Sequence, residues 1–421
     1  MIAESSSESD IRFESFRRKF SWVFTGNVVY AACQWGMIAV LAKLGSAESV
    51  GEFSWGMAIG APIILFAALQ LRGVQATDAA NQYTFSEYFS LHACMMLAAF
   101  CIVLATAWLT TGSGTTLLVV VAIGMMKTVD ATSEVIFGYF QRREQMKTIA
   151  VAQICNGVIS LVMLATVMAI TGSLILAVIS SLSASILTLA LYTAPHLKSY
   201  RPQQRWISRN LSGIILLFRQ TLPLGFVMLT VSLSANVPRY VVSRELGQSE
   251  LGIFSALAYL IVAGATVVSA IGQTVSPRLS RLFSTGDTDS FRSIVNRLIL
   301  AGLGVGVVSS LIAALIGREV ITALYSREYA ENQMPIVLTA FVAGISFAAS
   351  FAGFGLTSAR MFTAQVPISF AVLVMSVVGS LFLVQLIGLN GAIAAIGIAS
   401  LVQLLGSLLV IQRCLRSRDL E

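Results

Sequence analysis

The sequence predicts an all-α, polytopic membrane protein with about 12 transmembrane helices in two six-helix lobes. Of its 421 residues, 56% are hydrophobic and only 11% are charged, whereas soluble domains carry about 25% charged residues. About a dozen apolar stretches reach the roughly 20 residues that a helix needs to cross a bilayer. Lys and Arg residues collect in every second gap between these stretches. These three observations exclude a soluble globular protein of this length.

Hydropathy predicts six membrane spans in each half of the chain. The predicted spans cover residues 21–42, 53–71, 88–109, 115–140, 148–170, 174–194, 217–242, 253–275, 294–316, 335–356, 366–386 and 391–411. We therefore expect a cytoplasmic tail (1–20), an N-terminal lobe (21–194), a cytoplasmic linker (195–216), a C-terminal lobe (217–411) and a second cytoplasmic tail (412–421).

The distribution of basic residues predicts the orientation of the chain. About 20 of the 27 Lys and Arg residues fall in the tails and gaps on one side, and about four fall on the other. By the positive-inside rule, the basic side with both termini faces the cytoplasm. The net charge of +7 arises from this asymmetry and does not indicate a nucleic-acid partner.

A short motif occurs at the same place in each half. Leu44-Gly45 and Gly51-Glu52-Phe53-Ser54 lie between the first and second predicted spans. Leu246-Gly247 and Gly252-Ile253-Phe254-Ser255 lie between the seventh and eighth. An even number of spans per half gives both halves the same orientation, so the lobes are predicted to be parallel repeats with a transport site at their interface.

Three charged residues, Lys127, Asp130 and Glu134, fall inside the fourth predicted span. Their spacing puts them on one helix face, within reach of each other. Charges at this depth are costly unless they face protein or a water-filled cavity. In one interpretation Lys127 and Asp130 form a structural ion pair while Glu134 is hydrated near the cytoplasmic interface. In the other, the three line a translocation path, where Lys127 contacts an anionic substrate and a carboxylate can take up a proton.

Further candidate binding residues lie at span ends. Arg219 and Arg239 bracket the seventh span, where each can also snorkel to its own interface. Asn236 and Arg239 flank a proline at its outer mouth, and Arg72 marks the cytoplasmic end of the second span, where a solvated loop cap is the alternative. Together with Lys127, these cations suit a phosphate or pyrophosphate headgroup.

Pro62, Pro223 and Pro238 are candidate hinges or gates because proline removes a backbone donor from a helix. Helix entry is the simpler explanation for Pro223. The polar Asn156, at membrane depth in the fifth span, is expected to form interhelical hydrogen bonds. No set of metal ligands and no phosphate-binding glycine loop is present, so we predict no metal, no cofactor and no ATPase activity.

The sequence resembles the polysaccharide or oligosaccharide-lipid flippases of the multidrug/oligosaccharidyl-lipid/polysaccharide exporter superfamily. The resemblance covers nearly the whole chain. Its motifs are residues 45–53, residues 69–78, Lys127-x-x-Asp130-x-x-x-Glu134-x-x-x-Gly138-x-x-Gln141-Arg142, Leu222-Pro223-Leu224-Gly225, residues 236–240 and residues 273–279.

The resemblance implies two six-helix lobes in a V that opens alternately to either side of a bacterial inner membrane. The implied substrate is an undecaprenyl-pyrophosphate-linked glycan for O-antigen, capsule or exopolysaccharide assembly, moved to the outer leaflet without chemical change. Partners are then the lipid-linked glycan, membrane lipids and a glycan polymerase or export proteins. Two alternatives stay open: a cation-coupled drug or metabolite antiporter that uses Asp130 and Glu134, and a non-transporting scaffold, polymerase or ligase.

Overall fold

The computed structural model describes residues 2–78, 81–112, 114–200, 206–331 and 333–418. These residues form helices and no strand. The α-helices are α1 (Ile2–Leu44), α2 (Ala47–Ala67), α3 (Leu71–Thr77), α4 (Phe85–Thr111), α5 (Thr115–Arg142), α6 (Met146–Thr171), α7 (Leu174–Thr188), α8 (Ala194–Tyr200), α9 (Leu211–Glu245), α10 (Gln248–Thr285), α11 (Thr288–Leu324), α12 (Gln333–Ser358), α13 (Phe362–Ile387) and α14 (Leu389–Arg418). A π-helical turn (Leu189–Thr193) joins α7 to α8, and a 3₁₀ turn (Arg327–Ala330) precedes α12.

Twelve helical segments of the described chain are long and apolar enough to cross a membrane, which confirms the predicted number of spans. Each coincides with one predicted span. Helices α1, α10 and α11 differ most from the prediction, because they continue well beyond the predicted 21–42, 253–275 and 294–316. Their polar extensions keep the helical backbone hydrogen bonds outside the apolar stretch, so hydropathy detects only part of each helix.

The chain forms two compact units. The first contains residues 1–37 and 59–228, and the second contains residues 38–58 and 229–421. The last residues of α1 and the first residues of α2 therefore pack in the second unit, although the repeat motif assigns them to the first half. Met1, residues 201–205 of the predicted linker and residues 419–421 of the predicted tail lie outside the described residues.

The core of the first unit gathers aromatic and aliphatic side chains around the end of α5. Tyr88 of α4, Phe140 of α5, Leu71 of α3 and Leu217 of α9 are each at most 1% exposed. Burial of such side chains contributes about 1.5–3 kcal/mol each relative to exposure. This cluster holds the short helix α3 against the last turns of α5.

The core of the second unit depends on close helix packing through small residues. Gly306 of α11 meets the backbone of Gly344 of α12, and Gly302 meets the backbone of Ala348. An added Cβ atom at Gly302 would lie 2.8 Å from the Ala348 nitrogen, which no real side chain tolerates. Such contacts supply packing energy where lipid offers no hydrophobic drive for helices to associate.

Candidate functional site

Lys127 and Asp130 form an ion pair inside the membrane-spanning part of α5. The Lys127 Nζ atom lies 3.4 Å from Asp130 Oδ2, and the two side chains are only 19% and 16% exposed. The pair joins residues three positions apart, so the helix itself sets its geometry. Mutual compensation lets both charges stay at this depth.

Helices α6 and α7 complete the surroundings of Asp130. Asn156 of α6 donates from Nδ2 to Asp130 Oδ1 over 3.1 Å, and the Ser185 hydroxyl of α7 lies 2.9 Å from the same oxygen. The interhelical hydrogen bond predicted for Asn156 is confirmed. Tyr30 of α1 also lies within electrostatic range of Lys127 and Asp130. Sequence reasoning missed Ser185 and Tyr30, because single hydroxyl groups in apolar helices carry no distinctive pattern.

Glu134, one turn further along α5, pairs with Arg72 of α3. Arg72 Nη1 lies 2.6 Å from Glu134 Oε2, and Arg72 Nε donates to Gln141 Oε1 over 3.0 Å. The guanidinium carbon is 5.7 Å from the centre of the Phe137 ring. The side chains of Arg72 and Glu134 are 29% and 45% exposed, so this pair is less buried than the Lys127–Asp130 pair.

The backbone conformation just before α3 directs this helix, and with it Arg72, towards α5. Leu69 and Gln70 adopt positive φ values of 50° and 53°, which end α2 and let α3 start in a new direction. Left-handed conformations cost non-glycine residues about 1–2 kcal/mol each. Leu69 is fully buried, and its burial offsets this cost. Opposite α3, an added Cβ atom at Gly138 would lie 3.0 Å from the Arg72 Cα atom, so α3 approaches α5 closely.

Arg239, in the second unit, is held by its own helix. Its Nη1 atom donates to the Ala235 carbonyl over 2.9 Å and to Asn236 Oδ1 over 3.1 Å. Asn236 is only 7% exposed and donates from Nδ2 to the Ser232 carbonyl. The predicted combination of Asn236 and Arg239 is thus a direct contact, in which the amide orients the guanidinium.

Arg239 lines a cavity of about 370 Å³ within the second unit. Helices α9, α10, α12, α13 and α14 contribute its walls. Its polar lining residues include Arg239, Gln365, Gln403, Ser234, Ser369 and Ser376. Sequence analysis did not identify these glutamines and serines, since they are single polar residues scattered over α9, α13 and α14.

Pro238 leaves a backbone carbonyl without its helical donor, and another helix supplies a replacement. Proline has no N–H group, so the carbonyl four residues earlier, that of Ser234, has no partner in α9. The Ser376 hydroxyl of α13 donates to this carbonyl over 2.8 Å. Pro238 therefore links α9 to α13 through a side-chain hydrogen bond.

Pro62 of α2 follows the same rule. Its missing N–H group frees the carbonyl of Ala58, a residue that is fully buried, and the Tyr240 hydroxyl donates to that oxygen. The Tyr240 ring also packs edge-on against Trp55, with centroids 5.8 Å apart. The boundary between the two compact units falls at residues 58 and 59, within the turn that Pro62 interrupts.

The two copies of the repeated motif meet at the starts of α2 and α10. A Cβ atom at Gly51 would overlap the carbonyl oxygen of Gln248, and one at Gly252 would overlap that of Ala47. Gln248 precedes Gly252 by four residues, as Ala47 precedes Gly51. The contact is thus reciprocal: each glycine lies against the residue four positions before its counterpart.

The remaining predicted residues have simpler surroundings. Arg219 is exposed on α9, as is Pro223 one turn later. Pro223 lies inside α9, three turns past its first residue, Leu211. Arg72, Lys127, Asp130, Glu134 and Arg219 belong to the first unit, whereas Asn236 and Arg239 belong to the second.

Solved transporter structures share this fold. A multidrug resistance MATE family transporter of the MOP superfamily, in an inward-facing conformation, aligns with a TM-score of 0.74 at 12% identity, covering 93% of this chain and 95% of the other. Lipid II flippase MurJ aligns with a TM-score of 0.72 at 12% identity over 93% of this chain and 87% of the other. The Vibrio cholerae MATE transporter VcmN in its bent form gives 0.55 at 13% identity, covering 97% and 99%. These likenesses confirm the predicted all-α transporter fold.

Sequence comparison identifies the family. The capsular polysaccharide biosynthesis protein CapF of Staphylococcus aureus is 26% identical over 396 residues, which cover 92% of this chain and 97% of CapF. The family model described as polysaccharide biosynthesis protein matches residues 16–283, well over half of the chain. The predicted family resemblance is therefore confirmed, and this multi-pass membrane protein belongs to the polysaccharide biosynthesis protein family.

Proposed function

We propose that this protein is a flippase that moves an undecaprenyl-pyrophosphate-linked glycan to the outer leaflet of a bacterial cytoplasmic membrane. The observation that carries the proposal is membership of the polysaccharide biosynthesis family combined with a fold shared with MurJ and MATE transporters. A flippase moves its cargo without making or breaking covalent bonds, so no catalytic residue and no cofactor is assigned. Both termini face the cytoplasm in this proposal, which rests on the distribution of Lys and Arg.

Alternating access is the proposed mechanism. The reciprocal packing of Gly51 and Gly252 supports it, because the starts of two repeated helices meet there through backbone atoms, with no side chain on either glycine. We assign this contact to the outer gate, since the motif lies on the side with few basic residues. Pro62, Pro223 and Pro238 are the proposed hinges. For Pro62 and Pro238 this is supported by the hydroxyl groups of Tyr240 and Ser376, which donate to the carbonyls that the two prolines leave without a helical donor.

The proposed translocation path involves the charged and polar residues that the sequence singled out: Arg72, Lys127, Asp130, Glu134, Arg219, Asn236 and Arg239. Lys127 and Arg239 are the proposed contacts to anionic groups of the cargo. Asp130 positions Lys127, and the hydrogen bonds that Asn156 and Ser185 donate to Asp130 support this positioning role. Glu134 orients Arg72 in the same way at the cytoplasmic end.

Deletion of the gene in the native host tests the function. We expect loss of surface polysaccharide together with accumulation of a lipid-linked glycan, because synthesis on the cytoplasmic leaflet continues while export stops. Re-expression of the wild-type chain must restore both. Unchanged surface glycan without accumulation, in a host that lacks a related gene, contradicts the proposal. Loss of dye efflux in that strain would instead support the cation-coupled antiporter.

A further inference from the structure

The cavity around Arg239 holds an unbalanced positive charge. A guanidinium group has five N–H donors and stays protonated in proteins. Only Nη1 is engaged, with Ala235 and Asn236. Among the described residues, Nε and Nη2 have no hydrogen-bond partner, and no carboxylate lines the cavity. Since an uncompensated charge inside a membrane span is costly, the site favours an anion.

The free edge of this guanidinium has a defined geometry. Nε–H and one Nη2–H point in parallel along one side of the planar group, which matches the two oxygens of a carboxylate or phosphate. Nη1 is held by its own helix, so the orientation of this edge is fixed before any ligand arrives. The anion recognised here is therefore one that accepts two parallel hydrogen bonds.

The other polar lining groups favour a ligand that carries hydroxyl groups. Ser234, Ser369 and Ser376 each donate their hydroxyl hydrogen to a backbone carbonyl, over 2.9, 2.9 and 2.8 Å. Their oxygens consequently present lone pairs to the cavity and act as acceptors. A pyrophosphate group has acceptor oxygens only and cannot use them, whereas the hydroxyl groups of a sugar can.

The dimensions of the cavity fit one sugar unit. Its volume of about 370 Å³ lies at the lower end of the range of about 300–1,000 Å³ typical of small-molecule sites. Phe254 and Ile261 contribute apolar wall, against which the carbon–hydrogen face of a pyranose ring can pack. Gln365 and Gln403 add amide groups that can both donate and accept.

We propose that this cavity is a subsite for an acidic monosaccharide unit, a hexuronate, whose carboxylate binds the Nε–Nη2 edge of Arg239. The ring hydroxyls bind the serine and glutamine side chains. This inference rests on the proposed function and narrows its cargo to glycans with a carboxylated sugar. A protein that exports a neutral glycan would pass the gene-deletion test and fail the ligand-binding test, so the two failures are distinguishable.

The test is ligand binding to the purified full-length chain in detergent, measured by saturation-transfer NMR with titration. The probes are methyl β-glucuronide, methyl β-glucoside and inorganic pyrophosphate. We expect the glucuronide to bind about tenfold or more tightly than the glucoside, because only its carboxylate accepts charge-assisted hydrogen bonds from Arg239. Arg239→Gln is expected to abolish this preference. Arg244→Gln, on an exposed arginine of the same helix, is the matched control and should retain it.

Three results would overturn the assignment. The first is equal binding of glucuronide and glucoside, and the second is glucuronide binding that Arg239→Gln leaves unchanged. The third is binding of pyrophosphate without glucuronide, which would assign the anion to the lipid-linked phosphate. If Arg239→Gln fails to fold, the same binding measurement is made with Arg239→Lys, which keeps the positive charge and loses the two parallel donors. We expect about a tenfold weaker affinity for the glucuronide, and an unchanged affinity rejects the proposal.

Discussion

Gly51 and Gly252, equivalent residues of a repeated motif, pack against each other's helix start. A Cβ atom on Gly252 would lie 3.1 Å from the backbone nitrogen of Gly51, in addition to its overlap with the Ala47 carbonyl. Backbone atoms of α2 and α10 cannot move aside as a flexible side chain can. The two glycines thus allow an approach that any other residue prevents.

Gly51→Ala and Gly252→Ala should each prevent this approach, because the new methyl group overlaps a backbone carbonyl. We expect a loss of export that exceeds any loss of protein level, measured by surface polysaccharide staining and immunoblotting. Gly304→Ala is the matched control, since nothing lies within 4 Å of a Cβ atom at that helical position. Normal export by both motif variants would contradict the proposed gate.

Tyr240→Phe should destabilise the protein by about 1–3 kcal/mol, the cost of leaving a buried carbonyl without a partner. The carbonyl is that of Ala58, which Pro62 deprives of its helical donor. In a Pro62→Ala background the restored N–H group can serve Ala58, so the same tyrosine change should cost less than about 1 kcal/mol. Denaturant unfolding in detergent measures the free energy of unfolding of the wild type, the two single variants and the double variant. Equal costs in both backgrounds would show that Tyr240 does not replace the missing bond.

Asp130→Asn should be strongly destabilising, on the order of 3 kcal/mol, because it removes the carboxylate opposite Lys127 while leaving the cation. The double variant Lys127→Met/Asp130→Asn should regain most of this stability. Neither of the two substituted side chains is charged, and the new amide oxygen at position 130 still accepts from Asn156 and Ser185. If Lys127 contacts the cargo, export stays low in the double variant. Normal export by a stable double variant would make the pair purely structural.

Asp287 caps α11 and gives a prediction for pH. Hydrogen bonds from Ser290 lower the pKa of this carboxyl below its usual 3.8. A lowered pKa in the folded state adds stability that is present above pH 3.8 and is lost as the pH falls through the folded value. Asp287→Ala should therefore lower the Tm near pH 7, and the difference from wild type should shrink at lower pH. A difference that is constant across this range would exclude the ionised cap.

Hydropathy and charge spacing predicted the twelve spans and the Lys127–Asp130 pair, because both depend on residues close in sequence. The Arg72–Glu134 pair joins residues 62 positions apart. It depends on two left-handed residues, Leu69 and Gln70, that no local pattern requires. The proline rule identifies the carbonyls freed at Ala58 and Ser234, whereas only the packed structure identifies their donors, Tyr240 and Ser376.

Local sequence patterns also did not predict the full length of α10. Arg278 and Arg281 interrupt the apolar pattern after residue 275, yet the helix continues to Thr285. Similarly, the cavity around Arg239 is lined by residues that span a long stretch of sequence. Its serines are recognised as lining residues only when α9, α13 and α14 are packed together. Chemistry that depends on tertiary packing leaves little trace in a single chain.

Translocation by the purified protein tests the central claim most directly. The lipid-linked glycan that accumulates in the deletion strain is placed in vesicles with and without the wild-type chain, and its accessibility to an added glycan-modifying enzyme is followed over time. The glycan in the inner leaflet of the vesicles is protected from the enzyme. A flippase moves this protected fraction to the outer leaflet, and Gly51→Ala should slow that movement. If the protected fraction stays constant in vesicles that contain correctly folded protein, under an imposed ion gradient as well as without one, the chain does not move this lipid.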